Sequence, residues 1–134
     1  MAIATRFNPE TYYRAHARVS GAYDSDYDAF SLRGRQYQAL REVTTYLNEQ
    51  RVELVFVNLP LTDEYLDPVR RDHEAAFIEH MEQVEGLVFR DLATYWQTEH
   101  AFFSDPSHLN RYGAYEVSQH LARDPAIPWE ASSE

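Results

Sequence analysis

Apolar positions recur along the chain with two periods, and the change of period divides it into alternating helices and strands. A short helix is predicted from Asn8, Pro9 and Glu10 to about Arg18. Asn8 can cap it, Pro9 suits the first helical position, and Glu10 favours the positive end. Tyr12, Tyr13 and His16 fall on adjoining faces and read as packing residues. From Gly34 to about Gln50, Tyr37, Leu40, Val43 or Thr44, and Leu47 recur at spacings of three and four, the pattern of an amphipathic helix. Val52 to Asn58 is almost continuously apolar and rich in β-branched residues. That predicts a strand buried on both faces, ended by Leu59 and Pro60.

A further helix is expected from about Pro68 to Glu85, with Val69, His73, Phe77, Met81 and Val84 inward and Gly86 able to end it. Leu87 to Asp91 reads as a second, shorter strand. Ala93 to Glu99 reads as a short helix carrying Trp96, followed by a loop from His100 to Asp105. The last helix is expected from about Ser107 to Arg123, with Ala114, Val117 and Leu121 inward. Asp124 to Trp129 forms an irregular tail whose Trp129 should dock on the body. Ser20 to Leu32 is acidic, Tyr-rich and without period, and reads as a linker or surface loop.

The order is therefore helix, loop, then α-β-α-β-α. Strands alternating with helices of this length imply an α/β fold with parallel strands and right-handed crossovers. At 134 residues the chain holds at most one domain. It divides into an N-terminal helix with its linker (1–33) and an α/β body (34–134).

Composition narrows the function classes. The chain carries 22 acidic and 12 basic residues, a formal charge of −10, so it should repel nucleic acid and anionic membranes. No apolar run approaches the roughly 20 residues of a membrane-spanning helix. With no cysteine, a disulfide framework and a Cys nucleophile are excluded. No Gly-rich phosphate cradle or His-Glu-x-x-His zinc motif occurs. His73 and His80 lie seven apart but lack a third ligand, so neither metal nor other cofactor is expected.

The candidate chemistry lies between Phe103 and Ala114. Asp105 and His108 stand three apart at a predicted loop-to-helix junction. A carboxylate there can accept a hydrogen bond from one ring nitrogen of His108 and leave the other free as a general base. The same residues also read as a plain helix start, with Asp105 as N-cap, Pro106 at the first position and His108 in the first turn.

The run from Asp105 through His108 to Gly113, followed by Val117 and Leu121, resembles the last block of the SGNH/GDSL hydrolases, Asp-x-x-His at the start of the C-terminal helix. Val55 to Thr62 resembles the late core strand of that fold. The nearest likeness is to a mainly cyanobacterial SGNH-like family related to the D-alanyl transfer protein of teichoic acid synthesis and to alginate O-acetyltransferases. It runs from about Phe7 to Trp129 and covers the C-terminal half of a flavodoxin-like, three-layer fold. The resemblance implies that His108 is the catalytic base and Asp105 its partner, in an esterase or O-acyltransferase acting on an acylated carbohydrate. Asn58, at the C-terminal end of its strand, could line the site, since ligands of open α/β sheets sit there.

The nucleophile block of that family is missing. Gly21 to Ser25 comes closest, but no apolar strand precedes it, so Ser25 is a poor nucleophile. The chain is thus expected to be a C-terminal segment, inactive alone. The alternative is an interaction or assembly module without activity. Strand Val52–Asn58 can pair with Leu87–Asp91 on one edge only, and its other edge should draw a second chain, giving self-association.

Overall fold

The structure, a computed structural model, describes residues 8–19 and 31–129. The Tyr-rich stretch from 20 to 30, and with it Ser25, lies outside the described residues. The elements are α1 (Pro9–Val19), α2 (Arg35–Glu49), β1 (Leu54–Asn58), α3 (Pro68–Met81), β2 (Leu87–Asp91), a 3₁₀ turn (His100–Phe102), β3 (Phe103–Asp105), β4 (His108–Leu109) and α4 (Arg111–Leu121). The chain is a mixed α/β protein. β1 and β2 form a two-stranded parallel sheet in the register Leu54–Leu87 to Asn58–Asp91. No helix among the described residues is long and apolar enough to cross a membrane.

Local chemistry accounts for the helix boundaries. Asn8 offers its side-chain oxygen to the Thr11 N–H at 3.1 Å, which starts α1. Asp67 caps α3 by accepting from the Arg70 N–H, and Pro68 takes the first position. α2 ends in a Schellman turn: Arg51 N–H donates to the Asn48 carbonyl and Val52 N–H to the Leu47 carbonyl, both at 2.9 Å. Arg51 occupies the left-handed position, φ 57°, that glycine usually fills. Val52 is spent on that turn, which is why β1 begins at Leu54 rather than Val52.

Packing joins the layers. Phe56 and Phe89 are register partners, and Phe77 of α3 lies against both, with ring centroids about 6 Å apart. Thr44, not Val43, is the inward residue of α2, and Val43 is exposed. Every residue of β1 is half-buried, so the strand is less enclosed than its apolar sequence predicts. Among the described residues, no strand pairs with its second edge.

Several expectations are corrected. α3 ends at Met81 instead of Glu85, and Val69 is exposed. Ala93–Glu99 forms successive turns, not a helix. Trp96 sits at φ 55°, outside right-handed helical space, held by edge contacts with Tyr95, Phe102 and His120. The last helix begins at Arg111, and Ala114 is exposed. Asn110 is its N-cap, accepting from the Tyr112 and Gly113 N–H groups. Asp105 and Pro106 therefore do not start a helix. They belong to a small antiparallel hairpin, β3 with β4. Trp129 keeps an exposed ring, and its indole N–H ties it to α4 by donating to the Leu121 carbonyl at 2.9 Å.

Candidate active site

The segments that follow the C-terminal ends of β1 and β2 zip together and carry the candidate site. Leu92 N–H donates to the Asn58 carbonyl, Leu61 N–H to Ala93, Thr62 N–H to Pro106 and Asp63 N–H to Gln97, all between 2.9 and 3.1 Å. These bonds bring the hairpin of β3 and β4 beside the exit of β1. Open parallel sheets place ligands at this end.

Asp105 and His108 meet here. His108 Nδ1 lies 2.9 Å from Asp105 Oδ1 and 3.0 Å from Oδ2. With a carboxylate as acceptor, Nδ1 carries the proton and Nε2 keeps its lone pair. Ser107 adds its N–H and its hydroxyl to Oδ1, at 2.9 and 3.1 Å. The Asp105 side chain is 10% exposed, while the His108 side chain is 68% exposed. Burial pushes the Asp105 carboxyl up. The His108 bond, followed by the Ser107 backbone and hydroxyl bonds, outweighs it and holds the group below its usual value.

Ser107 is the hydroxyl closest in sequence to His108, with Oγ 3.0 Å from Nδ1. It stands on the carboxylate side of the ring, the wrong side to be deprotonated by Nε2. Its role is to complete the cradle of Asp105. Two residues with no motif of their own finish the hairpin. Thr62 donates its hydroxyl to the Pro106 carbonyl at 2.8 Å. Asn110 donates its amide to the Ala101 and Phe103 carbonyls while capping α4. The only sequence signal for Asn110 was its cap chemistry, and Asp105 offered the same signal five residues earlier.

Asn58 does not join this pair. Its side-chain amide donates to Glu74 of α3, and to Asp91 Oδ1 at 3.0 Å. It thus bridges two carboxylates at the C-terminal edge of the sheet. Burial pushes the Glu74 carboxyl up; the Asn58 bond lowers it and the nearby Asp91 raises it again, leaving it above its usual value. His73 Nδ1–H donates to the Val69 carbonyl of its own helix, and the His80 ring packs on Tyr37. Among the described residues, no three His, Cys, Asp or Glu side chains gather as a metal site.

A groove of about 420 Å³ opens beside His108, lined by Leu59, Pro60, Leu109, Ala114 and Val117 together with Ser107 and Ser118, whose hydroxyl donates to the Ala114 carbonyl at 2.8 Å. A larger hollow of about 700 Å³ lies between α2 and the turn at Gln83–Gly86, at the start of β2. The smaller groove is the better placed to hold a ligand against His108, because it adjoins the imidazole at the C-terminal side of the sheet.

The arrangement suits proton transfer: a buried carboxylate fixes one nitrogen of an exposed ring, and the other nitrogen is open to a ligand. No family model, no curated protein and no solved structure matches the chain.

Proposed function

We propose that this chain carries the base half of an SGNH-like acyl-transfer site, in an esterase or O-acyltransferase of flavodoxin-like fold. The observation that carries this reading is the contact of both Asp105 oxygens with His108 Nδ1. In the proposed reaction, Nε2 of His108 takes the proton from an attacking serine hydroxyl. Asp105 stabilises the imidazolium, and the proton then passes to the leaving alcohol. The substrate class is an acylated carbohydrate, and the apolar groove beside His108 receives the acyl end. Among the described residues, no serine hydroxyl is in hydrogen-bond contact with Nε2. The sequence lacks the nucleophile block of that family, so the proposal takes the serine from outside this chain and expects the isolated chain to be inactive.

The base reading has a direct chemical test. Diethyl pyrocarbonate acylates a neutral imidazole nitrogen, and peptide mapping resolves each histidine. His108 is expected to react faster than His73, and Asp105→Asn to slow it. Equal rates at His108 and His73, with no effect of Asp105→Asn, would remove the basis of the proposal. A short-chain ester assay tests completeness. Saturable turnover by the isolated chain that disappears in His108→Ala would show that it holds its own nucleophile.

The second reading, an assembly module, rests on the half-buried β1 with one edge unpaired among the described residues. It predicts self-association through that edge. Sedimentation at micromolar concentration giving a monomer mass would count against it.

A further inference from the structure

The chain leaving β1 grips the Asp–His turn through Thr62. This residue is fully buried. Its N–H donates to the Pro106 carbonyl at 3.1 Å and its hydroxyl to the same oxygen at 2.8 Å. The hydroxyl oxygen also accepts from the Tyr65 N–H at 3.2 Å, so its orientation is set from both sides.

The Pro106 carbonyl shares one peptide unit with the Ser107 N–H. That unit is planar, so fixing the C=O fixes the direction of the N–H. The Ser107 N–H is a donor to Asp105 Oδ1, and the same oxygen receives His108 Nδ1–H. The Ser107 N–H is engaged by the Asp105 carboxylate, so the Pro106 carbonyl is the other handle by which this plane is held. Two donors on one face and a carboxylate on the other leave the plane little freedom to rotate.

We propose that Thr62 is a positioning residue for His108, acting through the Pro106–Ser107 peptide plane and the Asp105 carboxylate. The proposal rests on the reading of His108 as a base. Thr62 touches neither imidazole nor groove; it sets the orientation of the carboxylate that sets the ring. Its hydroxyl matters more than its bulk, which separates this role from core packing.

Thr44 supplies a matched control. It is equally buried, and its hydroxyl donates to the Leu40 carbonyl at 2.8 Å, inside α2 and away from the turn. The experiment is NMR of the full chain, following the Asp105 carboxyl carbon through an acid titration and the ring nitrogens of neutral His108. In Thr62→Val the Asp105 midpoint is expected to move up toward the ordinary aspartate range, and the Nδ1–H tautomer of His108 to lose population to Nε2–H. Thr62→Ser should keep both at wild type, and Thr44→Val should lower the melting temperature without moving either. Thr62→Cys, with a weaker donor of similar size, replaces Thr62→Val if that variant does not fold. The proposal is overturned if a folded Thr62→Val or Thr62→Cys leaves both signals unchanged, or if Thr44→Val moves them equally. Neither readout needs turnover. Failure of the base reading would appear separately, as equal reaction of His108 and His73 with diethyl pyrocarbonate.

Discussion

Two Asp–His pairs stand at the C-terminal end of the sheet, and they are built in opposite senses. Asp105 meets His108 Nδ1 at 2.9 Å, and Asp63 meets His100 Nε2 at 2.8 Å. In the first pair the carboxylate is buried and the ring is exposed. In the second, the Asp63 side chain is 37% exposed and the His100 side chain 24%. The His100 ring is also covered by Tyr12, stacked with centroids 5.4 Å apart and planes 16° from parallel. Tyr12 is itself buried, and burial, with Glu64 beside it, pushes its phenol up. One pair presents a ring to a groove; the other pins a ring beneath a helix. Equal distances between equal residues thus serve different ends, and burial of one partner decides which.

The comparison is broken most strongly by removing the cover. Tyr12→Ala deletes a buried ring and should cost about 3 kcal/mol in guanidinium unfolding, within the range for large aromatic truncations. The His108 contact should survive it, because Asp105 is held by Ser107 and the Pro106 turn by Thr62. If NMR shows His100 and His108 released together, the two pairs belong to one cooperative unit.

Gly113→Ala acts on the other side. A Cβ there would lie 2.3 Å from the Phe102 carbonyl oxygen, a backbone atom that cannot step aside. The overpacking should cost about 1–3 kcal/mol, despite the roughly 1 kcal/mol gained in helix propensity. Thermal unfolding measures the loss. An unchanged melting temperature would mean that α4 is not clamped to the 3₁₀ turn as described.

Acid unfolding sharpens the electrostatic contrast. The Asp105 carboxyl lies below its usual value in the fold, so the folded state favours its ionised form. That contribution is present above the ordinary aspartate value and is lost as pH falls through the depressed one. Asp105→Asn should remove this part of the acid slope. Glu74 works in reverse: its carboxyl is raised, so its stabilisation is complete below the ordinary glutamate value and lost as pH rises through the raised one. Glu74→Gln should therefore flatten the pH dependence in the opposite direction. Urea midpoints across the acid range test both, and a variant slope identical to wild type would refute the corresponding assignment.

The smallest effect is expected at Asp63. Its carboxylate is substantially exposed, so Asp63→Asn should cost less than about 1 kcal/mol and leave reaction of His108 with diethyl pyrocarbonate unchanged. A larger loss would make the second pair more than a surface tie.

The chain's own pattern determined α2, β2 with both of its ends, the parallel pairing of two strands, and the i, i+3 spacing that lets Asp105 reach His108. These depend on periodicity and short-range geometry, which a local reading captures. The hairpin of β3 and β4 escaped it. Asp105-Pro106 and Asn110 both carry helix-cap chemistry, and the choice between them is made by Thr62 holding the Pro106 carbonyl and by Asn110 reaching the Ala101 and Phe103 carbonyls. Asn58 likewise had a position but no partners until α3 brought Glu74 against it. The pairing of Asp63 with His100 spans 37 residues and had no signal in the sequence. Local propensity selects what a segment can form, but bonds between distant segments select which of two equal local solutions survives, and only the tertiary structure contains those bonds.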